Sequence, residues 1–439
     1  MATADIGIGL IGCGTVGNGV AQLLAENADL YRQRLGRALV LRRVLVRDAT
    51  VERHEAVDRQ LITDDPNRFF ATDDMPIVVE VAGGVDVIAD YVARALSLAK
   101  HVVTANKSLL AAQGPQLFDL ASQHQASIAF EASCGGGIPI VTALQFGLMA
   151  NRIEALYGIL NGTCNYILTE MTRAGKTYSR ALAEAQEAGF AEADPTLDVS
   201  GEDAAQKLAV LASLAFGIQV TIDNVWFDGI DGLDLADLRF AAELDYDIKL
   251  LAIAERSPAG TQRLSLRVHP CFVHANSPLA QVHGPFNALS IYGHATGHTM
   301  YYGRGAGRMP TASAVVSDVI NVASTWYPKA FSAMNLWCNG QNAAELEDAD
   351  DLMSRFYLRM SALDKPGVVA QVSRILGDAE ISLSALLQHE VAADQFVPVV
   401  IVTHQARQGA VMGALNAIEQ LESIQGPPVC IRIADLPEE

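Results

Sequence analysis

IGIGLIGCGTVGNGVAQLL, residues 6–24, runs an apolar strand-like segment, Ile6 to Ile11, straight into Gly12-Cys13-Gly14-Thr15-Val16-Gly17 and an apolar helix through Leu24. This is G-x-G-x-x-G in its strand-to-helix context, where each glycine has a separate task. Gly12 allows the tight turn, Gly14 lets the backbone approach a pyrophosphate, and Gly17 lets helix and strand pack closely. Thr15 and Val16 open a helix whose N-terminal N–H groups attract phosphate charge. The segment predicts a Rossmann-type, doubly wound α/β domain that binds a dinucleotide.

Working outward, Leu39 to Val46 reads as the second strand, and its end should meet the adenosine ribose. An acid there suits the 2′-hydroxyl of NAD, but the chain has Arg47, then Asp48, with Arg53 nearby. A guanidinium binds a 2′-phosphate bidentately, so the reading leans to NADP, with NAD as the alternative. Ile77 to Val81, ending in Ala82-Gly83-Gly84, and His101 to Thr104, ending in Ala105-Asn106-Lys107, fit the same sheet. Ligands sit beyond the carboxyl ends of such strands, which aims Lys107 into the cofactor crevice. Ser127 to Glu131 reads as a further strand. It leads into Cys134-Gly135-Gly136-Gly137-Ile138, where three glycines free the backbone to approach a ligand or ion.

AQEAGFAEADPTLDVSGEDAAQK, residues 185–207, carries the densest chemistry. Ser200 reads as an N-cap with Asp203 at the third helical position. Asp203 and Lys207 are then i and i+4 on a face shared with Ala204, Leu208, Leu211 and Ala215. A surface ion pair of that kind contributes roughly 0.3–0.5 kcal/mol. The lysine lies on the apolar stripe, however, and Glu192, Asp194 and Asp198 precede it in a short loop. Desolvation moves such a lysine toward neutrality and a carboxylate opposes the shift, which suits a group that gives and takes protons.

Further on, Ile153 to Leu160, Leu264 to Val273 and Ala288 to Tyr292 read as strands of a mixed sheet, and Thr311 to Ser324 as a helix. His294 and His298 alone are i and i+4, but they lie in a glycine-rich stretch where no helix is expected. They and His269, His274 and His283 read as turn or surface histidines. Residues 339–352, NGQNAAELEDADDL, read as an acid-rich linker. Beyond it come a strand Phe356 to Met360, a turn Asp364-Lys365-Pro366-Gly367 and a helix Val368 to Asp378. A strand pair, Ile381 to Glu390 and Phe396 to Thr403, a helix Gly409 to Leu421 and a strand Val429 to Ile433 complete a ferredoxin-like βαββαβ unit. No acid, base or nucleophile is grouped there, which predicts that a chain ending near Asp350 stays active.

The division predicted is 1–137 for nucleotide binding, 138–310 for catalysis and dimerisation in an α+β domain, 311–338 as a helical return, 339–352 as linker, and 353–439 as the ferredoxin-like unit. A net charge of -19 over 439 residues disfavours nucleic acid and anionic membrane. The absence of a signal-peptide pattern and of bilayer-length apolar runs predicts a cytoplasmic protein. The six scattered cysteines lack C-x-x-C spacing, which argues against zinc or a disulfide framework.

GLIGCGTVG, VTANKSLL, FEASCGGGIPI, LNGTCNYIL, the whole 185–207 segment and YYGRGAGRMPTASAVVSD together resemble homoserine dehydrogenase, in the bacterial form with a C-terminal ACT domain. The resemblance implies reversible NAD(P)-dependent reduction of L-aspartate 4-semialdehyde to L-homoserine, in threonine, methionine and isoleucine biosynthesis. It implies Lys207 as proton donor, Lys107 beside the nicotinamide, and Glu192 and Asp203 on the substrate, with Asp198 a further candidate for its ammonium group. Gly189 and Gly303 become cofactor contacts, and Glu131, Cys134, Gly136 and Ile138 the site of a monovalent cation such as sodium. Cys134 departs from the family's frequent valine, and little follows because the cation uses its carbonyl. The ACT resemblance implies an amino-acid effector, L-threonine first, near Asp364 and Gly367, and the family implies a homodimer or homotetramer. Two alternatives stand beside it: another ACT-containing NAD(P) oxidoreductase, and a non-enzymatic sensor of NADP and an amino acid.

Overall fold

Strands buried on both faces must be apolar throughout, and Ile6–Ile11 meets that condition with all six residues buried. The computed structural model describes residues 4–257, 263–334, 336–337, 345–389 and 395–437, in two compact units. The first draws on residues within 1–154, 203–225 and 286–344. Its sheet is parallel, with β1 (Ile6–Ile11), β2 (Leu39–Leu45), β3 (Ile62–Thr63), β4 (Ile77–Glu80), β5 (His101–Thr104) and β6 (Ile128–Ala129) in the order β3-β2-β1-β4-β5-β6. The order reverses between β1 and β4, so the ligand crevice opens beyond their carboxyl ends, where the glycine loop lies. Against the glycine-loop helix, Thr15–Glu26, packs the helix Arg308–Ala323. A Cβ on Gly19 would stand 3.0 Å from that of Ala312, so the two helices meet through small residues.

The helix that carries Asp203 and Lys207 runs Glu202–Phe216 and buries every residue from Leu208 to Ser213, more than the single stripe expected. Its start also corrects the capping expectation. Ser200 closes a separate short helix, Thr196–Val199, and Gly201 stands at φ +87°, outside helical space, so Asp203 is the second helical residue. The Glu202 N–H donates to the Ser200 hydroxyl at 3.4 Å. The strand expected over 127–131 shrinks to Ile128–Ala129. Glu131 sits instead in a 3-10 turn, Glu131–Ser133, because its carboxylate is used by backbone N–H groups further on.

The second unit draws on residues within 155–202, 226–285 and 345–439. In chain order its strands are β7 (Ile153–Ile159), β8 (Trp226–Phe227), β9 (Tyr246–Arg256) and β10 (Leu264–His274). A hairpin in the first unit, β11 (Asn287–Gly293) and β12 (Gly297–Gly303), intervenes. Then come β13 (Met353–Leu363), β14 (Leu383–Gln388), β15 (Phe396–Thr403), β16 (Ala406–Arg407) and β17 (Val429–Ile433). The second unit's sheet runs β7-β9-β10-β17-β13-β15-β14, with β8 beside β10 and β16 beside β13. The helices Val368–Asp378 and Gln408–Glu419 close the ferredoxin-like part, whose core includes Leu358, Val372, Ile401 and Val411.

In this sheet the ferredoxin-like part is continuous with the strands that precede it in the second unit. β17 pairs directly with β10 through Cys271 with Arg432 and Phe272 with Ile433. On the helix Leu235–Glu243, the fully buried Asp237 accepts from the Tyr357 hydroxyl at 2.9 Å and from Arg359 Nε and Nη2 at 2.6 and 2.9 Å. His269 corrects the turn or surface reading. It is a core residue of β10, 2% exposed, and burial beside Arg432 and Arg267 holds its pKa well below the usual range, leaving a neutral imidazole. Cys13, Cys134, Cys164 and Cys271 are buried free thiols and Cys430 is half-buried, while Cys338 and residues 339–344 of the expected linker lie outside the described residues. Among the described residues no helix is long and apolar enough to cross a membrane.

Candidate active site

The glycine loop has the shape its spacing predicts. Gly12 stands at φ +89°, and a Cβ there would come within 2.7 Å of the Ala82 backbone; at Gly17 it would lie 2.3 Å from the Gly12 carbonyl. At Gly14 it would meet nothing within 4 Å, so this backbone faces open space where a pyrophosphate can approach. Thr15 and Val16 open the helix beneath it. Beyond β2, Arg47 is exposed and Asp48 accepts from the Thr50 N–H and hydroxyl in its own turn. Arg53 is tied to the glycine loop itself, donating to the Cys13 carbonyl at 2.9 Å and the Asp48 carbonyl at 3.2 Å. Its Nε is buried without a partner, and it lines a cleft of about 480 Å³ with His54 and Arg59. Reading only the strand end undervalued it.

Lys107, Asp203 and Lys207 come together. Asn106 caps the helix Lys107–Gln123 with its side-chain oxygen on the Leu109 N–H, which places Lys107 at the first helical position. Lys207 Nζ lies 2.6 Å from one oxygen of Asp203 and Lys107 Nζ 3.3 Å from the other, with side chains 12%, 23% and 9% exposed for Lys207, Lys107 and Asp203. Two ammonium groups share one carboxylate in a largely dry setting, leaving a net positive charge and a ready proton donor. A Ser108 hydroxyl bond of 2.9 Å to Gln206 joins the two helices beside them. No signal in the sequence paired those two residues.

Glu131 is buried, and its two oxygens accept from the Val141 and Thr142 N–H groups at 2.9 and 2.8 Å, while its own N–H donates to the buried Asp318. Burial raises the pKa of both acids, and Asp318 is pushed up further by Glu131. Gly135 and Gly136 have positive φ, and a Cβ on Gly136 would strike the Gly305 carbonyl at 2.4 Å. Ile138 lies against Gly303, where a Cβ would be 3.1 Å away. Buried carboxylates beside oxygen-only backbone donors suit a hard cation. Among the described residues no group of three His, Cys, Asp or Glu side chains could hold a metal ion, so any cation must rest largely on carbonyls.

The remaining carboxylates lie in the second unit. Glu192 and Asp194 are exposed, and Asp194 is used by Thr196 in a local turn. Asp198 is half-buried and accepts from Asn161 Nδ2 at 2.7 Å. Asn161 also caps the helix Gly162–Ala174, Cys164 donates its thiol to the Asp198 carbonyl, and Thr163 donates to the Phe190 carbonyl. Residues 161–164 thereby hold the 190–198 loop, just after Gly189 at φ +73°. An Asn immediately before a helix was the available clue.

Profile matches span all of these elements. Residues 12–131 match the family described as homoserine dehydrogenase, NAD binding domain, residues 139–320 match homoserine dehydrogenase, and residues 356–420 match the ACT domain. The homoserine dehydrogenase of Neisseria gonorrhoeae is 38% identical over 441 residues, covering 98% of this chain and 99% of that one. The chain belongs to the homoserine dehydrogenase family. The crystal structure of a homoserine dehydrogenase from Thiobacillus denitrificans superposes with a TM-score of 0.91 at 39% identity, covering 99% of each chain. A more distant relative, a hyperthermophilic archaeal homoserine dehydrogenase in complex with NADPH, gives a TM-score of 0.62 at 25% identity, over 74% of this chain and 99% of that one. As a homoserine dehydrogenase the protein is an oxidoreductase acting on CH–OH groups, with an NAD(P)-binding domain and an ACT domain. In the ACT domain, Asp364 accepts from Gln388 Nε2 at 3.0 Å, and Gly367, at φ +93°, starts the first helix.

Proposed function

We propose that the chain reduces L-aspartate 4-semialdehyde to L-homoserine reversibly with NADPH. The observation that carries this reading is the Lys107–Asp203–Lys207 cluster. The nicotinamide, when bound, supplies or accepts the hydride. As hydride reaches the aldehyde carbon, negative charge grows on the oxygen; Lys207 gives it a proton and Lys107 offsets the charge. Asp203 holds both ammonium groups in place. Glu192 is the first candidate for the substrate's ammonium, and Asp198 and Asp203 are the further candidates. The pyrophosphate goes to Gly12, Gly14, Thr15, Val16 and Gly17, with further cofactor contacts from Gly189 and Gly303. Glu131 and the carbonyls of Cys134, Gly136 and Ile138 would hold a monovalent cation, such as sodium, which would fix the loop. Oxidation of NADPH on adding aspartate semialdehyde tests the reading directly, and a protein that binds both without turnover is a sensor instead.

NADP is the proposed coenzyme because Asp48 is committed to Thr50 while Arg47 stays available. Arg47→Asp is expected to weaken NADPH at least about tenfold more than NADH, or 1.4 kcal/mol. Fluorescence titration of both coenzymes measures this, and equal losses would restrict Arg47 to supporting the fold.

The effector reading is L-threonine at the Asp364–Gly367 turn, acting on a homodimer or homotetramer. Saturating threonine should reduce apparent substrate affinity or rate by roughly 5 to 150-fold. Asp364→Ala should abolish that response without lowering basal turnover. Retained inhibition in the variant places the effector elsewhere.

A further inference from the structure

We infer that Glu80 is the positioning residue that sets the cofactor-crevice loop and the Lys107 helix to one another. Glu80 ends β4 and is fully buried. One of its oxygens accepts from the Ala82 and Gly83 N–H groups at 2.8 and 3.1 Å, which fixes the loop beside the glycine turn. The other accepts from the Thr104 hydroxyl at 2.6 Å. Thr104 Oγ1 in turn accepts from the Asn106 N–H at 3.0 Å, and Asn106 Nδ2 donates back to the Gly84 carbonyl at 2.6 Å. Asn106 is also the cap of the helix whose first residue is Lys107.

The ring is closed: carboxylate, loop, Asn106, Thr104, carboxylate. Both halves border the crevice, since the glycine loop packs on Ala82 and Lys107 meets Asp203. Three donors converge on Glu80, and its two carboxylate oxygens accept from all of them. Glutamine has the same shape but one acceptor oxygen. With that oxygen on Ala82 and Gly83, its NH2 faces Thr104 and strands the hydroxyl proton. Misplacement of a reacting group by about 1 Å can cost 10²-fold in rate, so a loosened ring acts on catalysis at a distance.

This inference rests on the proposed roles of Lys107 and the crevice loop, and the test separates them. NADPH Kd and kcat are measured for Glu80→Gln, Lys107→Ala and the double variant. Glu80→Gln is expected to raise Kd at least about fivefold and lower kcat about tenfold or more, an effect of the size a lost positioning contact gives. In the Lys107→Ala background the same change should lower kcat less than about threefold further, because coupled residues are not additive. Multiplying losses would overturn the link to Lys107, and an unchanged Kd would overturn the link to the loop. Wild-type turnover by Lys107→Ala alone would remove the lysine's role while the Kd measurement still decides on Glu80. If Glu80→Gln does not fold, Thr104→Val replaces it: its kcat should fall and Thr104→Ser should restore it, and a Val variant with wild-type kcat and Kd overturns the proposal.

Discussion

Lys207→Ala is expected to lower kcat by about 10² to 10⁴-fold, the range general acid catalysis supplies, while NADPH Kd changes less than about twofold. The selectivity follows from where the charges sit. Lys207 shares Asp203 with Lys107, so removing it leaves the carboxylate an ammonium partner at 3.3 Å, and the fold keeps no orphaned buried charge. The pyrophosphate loop at Gly12 to Gly17 has its own supports in Ala82 and Arg53. Turnover is read from NADPH oxidation and binding from fluorescence titration. A variant keeping more than a tenth of wild-type turnover removes Lys207 as the donor. A large rise in Kd would show that the lysine serves the coenzyme instead.

What made the nucleotide-binding half legible was local: the three glycines fall in one strand-turn-helix unit, where Gly12 takes a positive φ and Gly17 lies against the Gly12 carbonyl, and β1 is apolar because it is buried on both faces. The Asp203 and Lys207 pairing was legible for the same reason, being one helical turn apart. Glu80 was not, because its partners lie at Thr104 and in the loop that follows its strand, and a lone acid at a strand end has no periodic signature. His269 was misread as peripheral for a related reason. Alternation rules do not place polar residues in a strand covered on both faces, and β10 buries every residue from Val268 to Val273. β9 was missed because YDIKLLAIAER is apolar without alternation, a pattern that length and propensity alone cannot separate from a buried helix. The pairing of β17 with β10 was not legible either, since an acid-rich stretch marks a chain segment, not the absence of contact between what precedes and follows it.

That last point governs the second large effect. Arg359→Ala is expected to destabilise the second unit by about 3–5 kcal/mol, the cost of breaking a buried pair by deleting one partner. Asp237 is fully buried and would keep only neutral donors, the Tyr357 hydroxyl and the Asp234 N–H, the latter at 3.3 Å. For a body of 150–250 residues that corresponds to a fall in Tm of about 6–20 °C. Replacing the trio together, as Asp237→Leu, Tyr357→Phe and Arg359→Met, should recover most of the loss, because no charge or hydroxyl is then left buried alone. Calorimetry of both variants decides between an ion pair that holds the ACT strand β13 to the Leu235–Glu243 helix and a pair that contributes nothing, in which case Arg359→Ala would melt with the wild type. The same geometry revises the expectation for truncation near Asp350. Cutting there would remove β17 from the edge of β10, the Tyr357 ring stacked 4.5 Å from Phe272, and the Tyr357 and Arg359 donors to Asp237. Such a chain should fail to accumulate in soluble form, so loss of feedback has to be sought with point changes at Asp364 instead of by removing the domain.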